Sequence, residues 1–303
     1  MGKHSKQSRS KLKIFLIIIL LVAIAAAGAG GYFYLSKPKQ DTDVVFKKVS
    51  DIEVKPKLDR PLRILLLGVD SFVSGQTTGH RSDVFILVQI NPDKKTTMVS
   101  VIRDSLVPIA GHGSEKITHA FAYGGADLAV DTFENLSGLE VDYYLVTTFP
   151  GFTNLINSIG GLDIYVDMYM NDKYSGADFA KGNTHLGGVQ ALSFARDRHL
   201  DGDNWTRSRH HQDLILAILK QEQRRAKSPF AMVSIMPALL KNIKTEVAPT
   251  ELYNLAKIFL TLDSKKIERI YLKGEYTTVA GASVVQLDQG YYQEVFDKLK
   301  EAK

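Results

Sequence analysis

The chain of 303 residues has no cysteine. Disulfides, zinc–thiolate sites and a cysteine nucleophile are excluded together. It also has no GxxxxGK(S/T) phosphate loop, no HExxH pair and no GxSxG nucleophile elbow, which leaves ATP-driven and serine-hydrolase chemistry without support. Tryptophan occurs once, at Trp205, and no internal repeat or low-complexity tract lies outside the N-terminal apolar run. Residues 1–13 have no acidic side chain, yet they hold Lys3, Lys6, Arg9, Lys11 and Lys13. Because the chain has 38 Lys+Arg and 33 Asp+Glu, residues 14–303 carry 33 charges of each sign and balance to zero. A nucleic-acid-binding domain would be net basic. Here the basic excess belongs to a short tail suited to anionic membrane lipid, and nucleic acid is not an expected partner.

Directly after that tail, residues 14–35 (IFLIIILLVAIAAAGAGGYFYL) run without a charge. At about 1.5 Å per helical residue they are long enough to cross a hydrocarbon core of about 30 Å. Basic residues before the span hold the N-terminus in the cytoplasm and place everything after Leu35 outside the cell. A cleaved signal peptide is the rival reading, since AIAAAGAG offers small residues at a cleavage site. The length of the run and the aromatic edge Tyr32-Phe33-Tyr34 favour a retained single-pass anchor. The expected organisation is a cytoplasmic tail (1–13), a transmembrane anchor (14–35), an extracytoplasmic linker (36–61) and a catalytic domain (62–303). The linker, polar and marked by Pro38, Pro56 and Pro61, would span roughly 25–30 Å as a flexible coil. That keeps the domain near the outer membrane surface, within reach of lipid-linked substrates. A domain of about 240 residues can bury a sufficient core without disulfides.

Within that domain the apolar run at 63–69 (RILLLGV) predicts a central strand buried on both faces. Strands follow at 84–90 and 97–102, joined by the turn Asn91-Pro92-Asp93-Lys94, and further strands at 141–146, 162–166 and 267–272. Helical patterns occupy 126–136, 149–159, 187–196, 207–225, 229–242, 249–262 and 290–300. Strands alternating with helices predict an α/β layered domain.

The segment 191–212, ALSFARDRHLDGDNWTRSRHHQ, is the richest in chemistry. Arg196, Arg198, Arg207 and Arg209 stand there with His199, His210 and His211 among Asp197, Asp201 and Asp203. Guanidinium groups keep their charge and present planar forks that match phosphate oxygens, so the pattern suggests a polyphosphate cradle. A solvated, salt-bridged helix end is the plainer explanation of the same residues. Three strand-end segments add candidates: Gly68-Val69-Asp70-Ser71, Gly79-His80-Arg81-Ser82-Asp83 and Ile102-Arg103-Asp104-Ser105. Sites of open α/β sheets gather at strand ends, so these could share one crevice. Asp70 and Asp83 could hold a Mg²⁺ that also binds a pyrophosphate, because Mg²⁺ needs only one or two protein carboxylates. The plainer readings are that Asp70 and Asp104 are turn or cap residues and Arg81 an exposed loop charge.

In this order, ILLLGVDS, HRSDVFILVQINP, MVSVIRDS, KITHAFAYGG, FTNLINSIGGLDIYV and ALSFARDR resemble the LytR-CpsA-Psr (LCP) family. The resemblance is dense from residue 60 to 221 and weaker beyond. It implies an α/β/α sandwich with a central mixed sheet and a greasy channel for a prenyl chain, preceded by one transmembrane helix. It implies a phosphotransferase that moves an anionic glycopolymer (wall teichoic acid, capsular or rhamnose-type polysaccharide) from a polyprenyl-pyrophosphate carrier to a sugar hydroxyl of peptidoglycan. By the same resemblance Asp70 and Asp83 concern the metal, Mg²⁺ or in its place Mn²⁺, while Arg81, Arg103, Arg196, Arg198 and Arg207 contact the pyrophosphate. Asp104 is a candidate base for the acceptor hydroxyl, with His199 a weaker one. Two departures stand out. Ile102 occupies a place where the family has proline, and His210-His211 fall where it has Arg-Gln, so Arg209 or Gln212 would substitute as substrate-binding groups after a local shift. Two other functions fit the same residues: a polyprenyl-pyrophosphate pyrophosphatase, in which water attacks, and a non-catalytic prenyl-phosphate-binding regulator of the LytR attenuator type.

Overall fold

The computed structural model describes residues 58–70, 78–198, 204–225 and 231–302. The expected cytoplasmic tail, the anchor and linker residues 36–57 lie outside the described residues, as do Ser71, His199, Asp201, Asp203 and Pro229. Among the described residues no helix is long and apolar enough to cross a membrane.

In chain order the strands are β1 (Leu62–Val69), β2 (Ser82–Ile90), β3 (Thr96–Val101), β4 (Leu106–Ile109), β5 (Gly113–Lys116), β6 (Tyr143–Thr148), β7 (Leu162–Val166), β8 (Met170–Asp172), β9 (Ala177–Phe179), β10 (Gly182–Leu186), β11 (Ile243–Lys244), β12 (Glu268–Tyr271), β13 (Gly274–Val279) and β14 (Ala282–Leu287). The helices are α1 (Thr118–Ser137), α2 (Phe149–Ser158), α3 (Gly188–Arg196), α4 (Asn204–Arg225), α5 (Ala231–Asn242), α6 (Pro249–Leu260) and α7 (Gln289–Glu301).

Six strands form the main sheet in the order β11-β6-β1-β2-β3-β12. β1 pairs antiparallel with β2 and parallel with β6, β3 pairs parallel with β12, and β11 closes the far edge antiparallel to β6. The sheet is therefore mixed. Side chains alternate across a strand, and β1 shows both halves of the alternation. Leu65, Leu67 and Val69 pack into one core with Phe121 and Phe133 of α1 and Phe296 of α7. Leu66, on the opposite face, joins Ile86, Val88, Ile215 and Leu219, which belong to a core shared with α4 and α6. Helices thus cover both faces, as the apolar runs of β1 and β2 require. A smaller core sits beside this sandwich, where α2, α3 and α4 meet β7–β10 around Ile156, Val166, Met170 and Phe194.

Two local devices aim the strand ends at one place. The register of β1 against β2 shifts between Gly68 and Val69, and a Cβ on Gly68 would come within 2.8 Å of Val84 Cγ2. The glycine permits the close approach that brings Asp70 beside the start of β2. At the end of β6, Thr148 caps α2 by accepting from Gly151 N, so strand and helix turn on adjacent residues.

Several elements differ from expectation. α1 begins eight residues before the predicted 126, because Gly124 (φ −136°, ψ 15°) and Gly125 (φ 69°, ψ −152°) break its regularity without ending it. Pairs β4–β5, β8–β9 and β13–β14 are short hairpins whose strands are too short or too exposed to carry a pattern. Helix α4 starts at Asn204, three residues earlier than its periodicity suggested.

Candidate functional site

The ends of β1, β2 and β6 open onto a cavity of about 940 Å³ lying between the sheet and helices α2, α3 and α4. Its walls are of two kinds. Leu66, Ile86, Leu145, Phe152, Leu155, Leu192, Leu214, Ile215 and Ile218 give it an apolar lining, and Asp70, Asp83, Asp172, Arg196, Arg198 and Arg207 a charged one. Residues of the apolar segments 149–159 and 214–219 contribute to the apolar lining.

Of the candidate residues that the structure describes, Asp70, Asp83, Arg196, Arg198 and Arg207 line this cavity. Arg103 and Asp104 join it through contacts. Arg103 makes a short ion pair with Asp83 through NH1, and its Nε lies 3.7 Å from Asp104 Oδ1. That Nε is buried and makes no hydrogen bond among the described residues. A buried guanidinium donor left in this condition is costly unless an anion arrives. Asp70 is half exposed and stands 3.5 Å from His80 Nδ1.

Asp104 is held on both oxygens. Lys116 Nζ lies 3.0 Å from Oδ1, and Asn204 Nδ2 donates to Oδ2 at 2.7 Å. Burial alone would raise this carboxyl; hydrogen bonds from Lys116 and Asn204, with the charges of Arg103 and Lys116, overcome it and hold the group below its ordinary value. Asp104 is therefore an anion, better placed to orient a hydroxyl than to hold its proton for long.

Asn204 also accepts from Arg207 NH2 at 2.6 Å, and Tyr276 OH of β13 lies 3.0 Å from its Nδ2. Arg207 is 4% exposed. Its pKa is pushed down to about 10, chiefly by burial and partly by Arg198 and Arg103 nearby, against the pull of Asp83. It stays protonated at neutral pH. A buried cation crowded by cations is a site prepared for an anion.

Arg196 lies over the Phe149 ring at 5.2 Å, a cation–π contact that ties it to the start of α2. Arg198 is positioned by its backbone, because its N–H donates to Asp172 Oδ2 at 3.4 Å. Asp172 also accepts from Tyr174 N and Ser175 N. These bonds keep it ionised below its ordinary value despite burial, which acts the other way. Neither Asp172 nor Asn204 stood out in the sequence. The Asx turn Asp172-Lys173-Tyr174-Ser175 was a usable signal for the first.

The remaining candidates lie elsewhere. Arg81 is exposed beside Ser82 and does not line the cavity. Arg209 is exposed, donating to Thr206 Oγ1. Gln212 is fully buried on the sheet side of α4, where its amide donates to Ser100 Oγ and Ile270 O and accepts from Arg269 Nε. Its hydrogen bonds tie α4 to β3 and β12. His211, not Gln212, borders the cavity. Trp205 pins the chain by donating to Leu272 O at 3.1 Å and meeting the Tyr276 ring edge-on.

An α/β/α sandwich enclosing a cavity lined by apolar side chains together with arginines and aspartates has the chemistry to suit an amphiphile with an anionic head. The model of the LytR_cpsA_psr family matches residues 32–301, and the chain belongs to that family. It is 30% identical over 271 residues to the polyisoprenyl-teichoic acid–peptidoglycan teichoic acid transferase TagU of Enterococcus faecalis, covering 89% of this chain and 88% of that one. Identity to the TagU of Bacillus cereus is 36% over 210 residues, covering 68% and 66%. Among solved structures it is similar to B. subtilis TagV, with a TM-score of 0.71 and 28% identity over 80% of this chain and 97% of that one. TagT bound to LIIa-WTA gives 0.67 and 27%, covering 83% and 94%.

Proposed function

We propose that this chain is a glycopolymer–peptidoglycan ligase, transferring a teichoic-acid-type polymer from a polyisoprenyl-pyrophosphate carrier to a peptidoglycan sugar. One observation carries the reading: a single cavity joins a lipid-sized apolar wall to Asp70, Asp83, Arg196, Arg198 and Arg207. The curated relatives named above carry that transferase activity in their names.

In this reading the prenyl chain lies along Leu214, Ile215 and Ile218, and the diphosphate meets the arginines. The acceptor hydroxyl attacks the phosphorus that bears the polymer. A new P–O bond forms, the bridging P–O bond breaks, prenyl phosphate departs, and the hydroxyl proton passes to Asp104 or solvent. Phosphoryl transfer asks the protein mainly for alignment and for stabilisation of the equatorial and leaving oxygens. Arg103, Arg196 and Arg207 provide forks held by Asp83, Phe149 and Asn204 in turn, and Arg198 adds a further cation from a backbone tied to Asp172.

A divalent ion fits the donor set. Asp70 and Asp83 face the same cavity, and Asp83 engages Arg103 through Oδ1. Two carboxylates suit Mg²⁺, which otherwise takes water and phosphate oxygens. Bound there, Mg²⁺, or Mn²⁺ in its place, would neutralise charge on the non-bridging oxygens. We further propose that residues 14–35 anchor the chain in the membrane with residues 1–13 in the cytoplasm, so that the domain meets its lipid-linked donor at the outer surface.

The test uses the full chain in nanodiscs with a prenyl-pyrophosphate-linked sugar and Mg²⁺, with and without soluble peptidoglycan oligomers. A glycan-linked phosphodiester product is expected only with the oligomers. Inorganic phosphate or sugar phosphate released to water, with no glycan product, would instead establish a pyrophosphatase. Retained transfer in Arg103→Ala and Arg196→Ala variants would refute the site assignment.

A further inference from the structure

Outside the cavity, the most organised unassigned group of side chains is an aromatic stack on the Asp104 side. Tyr123 of α1 is 42% exposed and lies flat against His112, with ring centroids 4.0 Å apart and planes 10° from parallel. His119 meets the same tyrosine edge-on at 5.9 Å and is held by Glu115 at 2.9 Å through Nδ1. Helix α1 departs from helical geometry immediately after Tyr123, at Gly124 and Gly125. A Cβ at Gly124 would lie 2.5 Å from Leu128, and Gly125 occupies the left half of backbone space that favours glycine. A break that holds a tyrosine outward is backbone irregularity spent on presenting a surface, not on packing a core.

The stack is connected to the reacting groups on two sides. His112 sits at the turn of the β4–β5 hairpin, and Lys116 at the end of β5 holds Asp104. At about 3.3 Å per strand residue, the turn stands roughly 13 Å from that lysine, the reach of a short oligosaccharide. On the other side Ala122, next to Tyr123, accepts from Gly79 N at 2.8 Å, which anchors the segment carrying His80 against Asp70. None of Tyr123, His112, His119 or Glu115 lines the apolar cavity.

We propose that the Tyr123–His112 stack is the docking platform for a pyranose ring of the peptidoglycan acceptor. This rests on the ligase reading above and deepens it. In-line displacement puts the incoming hydroxyl opposite the leaving prenyl phosphate. The leaving group occupies the cavity, so the acceptor approaches from the Asp104 side, where the stack lies. A flat aromatic face suits the C–H face of a sugar ring, and the flanking Glu115 and His119 offer partners to its hydroxyls.

Direct binding of uncrosslinked peptidoglycan oligomers to the full chain in nanodiscs, measured by calorimetry, tests this independently of transfer. Tyr123→Ala and His112→Ala are expected to weaken oligomer binding on the order of tenfold. Tyr123→Trp should restore it, and affinity for a fluorescent prenyl-pyrophosphate donor should not change. His112 lies in an exposed turn, so its variant keeps the test valid should Tyr123→Ala unfold. Unchanged oligomer binding in both variants, or none in the wild type, would overturn the platform. So would a loss of donor affinity, which would assign the stack to the donor's own sugar, or a loss of binding to empty anionic vesicles, which would assign it to the membrane. Failure of transfer with oligomer binding intact would instead strike the ligase reading.

Discussion

Acidification should destabilise this protein through two histidines on α4, at positions where the family resemblance placed Arg-Gln. His210 is buried and tilted against Phe194 at a centroid distance of 4.4 Å. Burial, with smaller help from Arg209, pushes its pKa down to about 4. His211 donates Nε2–H to Ala195 O at 3.0 Å, and burial followed by Arg207 pushes it down to about 3. The unfolded chain protonates both near pH 6.5, so between about 6.5 and 4 it binds more protons than the native state. Stability is therefore complete above pH 6.5 and falls as the pH drops. At pH 5, some 1.5 pH units below the unfolded value, His210 costs about 2 kcal/mol. His211, whose ring borders the cavity, adds up to about the same. For a domain of this size the sum lowers Tm by roughly 5–15 °C relative to pH 7. The assay is calorimetry from pH 7.5 to 5 on the wild type and on a His210→Phe/His211→Gln double variant, in which glutamine replaces the N–H donor to Ala195. The variant should lose less stability in acid. Asp213 and Glu222, raised by burial, act with the opposite sign but cancel in the difference. A constant Tm gap between the two proteins across the range would refute the reasoning.

Four other outcomes follow from the site geometry. Asn204→Ala frees Asp104 and Arg207 together; kcat should fall about 10–100-fold with donor binding weakened less, as stopped-assay kinetics would reveal. Arg207→Met should abolish transfer yet raise the Tm of the ligand-free protein, because it removes a buried cation crowded by Arg103 and Arg198; a lower Tm would mean the charge is well compensated. Arg207→Lys should not rescue activity, since the fork is lost. Ile215→Trp should obstruct the apolar part of the cavity, raising KM for long-chain prenyl donors far more than for short water-soluble analogues, and equal effects on both would remove that part from the mechanism.

Much of the fold was readable because burial on both faces leaves an unbroken apolar run, as in β1 and β2, and amphipathic helices repeat over several turns, as in α4 and α7. The hairpins escaped because β13 exposes most of its residues and β8–β9 has three per strand, too few for a period. The early start of α1 was masked by Gly124-Gly125, a pair that ordinarily interrupts a helical pattern. Chemistry-bearing residues were legible where charge type alone identifies them, as with Arg196, Arg198 and Arg207. Residues that act by position were not. Asn204 and Asp172 gain meaning only from what the fold brings against them, and Gln212, polar beside a charged run, was drawn into the core by three elements that need its hydrogen bonds.

The same logic explains why the charged lining cannot be optimised for stability without losing its use. Arg103 keeps a buried Nε without a hydrogen bond, Arg207 is nearly enclosed among cations, and Asp104 is held ionised in spite of burial. The first two conditions oppose folding taken alone, and a dianionic phosphate between the arginines relieves both, whereas Asp104 is already compensated by Lys116, Asn204 and Arg103. Binding that favours only the native state raises its stability by RT ln(1 + [L]/Kd), about 2.7 kcal/mol at a hundredfold excess over Kd. A prenyl diphosphate should accordingly raise the Tm of the wild type, and the rise should be smaller in Arg207→Met, whose strain has already been removed. An equal rise in both would place the diphosphate away from Arg207 and leave its burial without a functional reason.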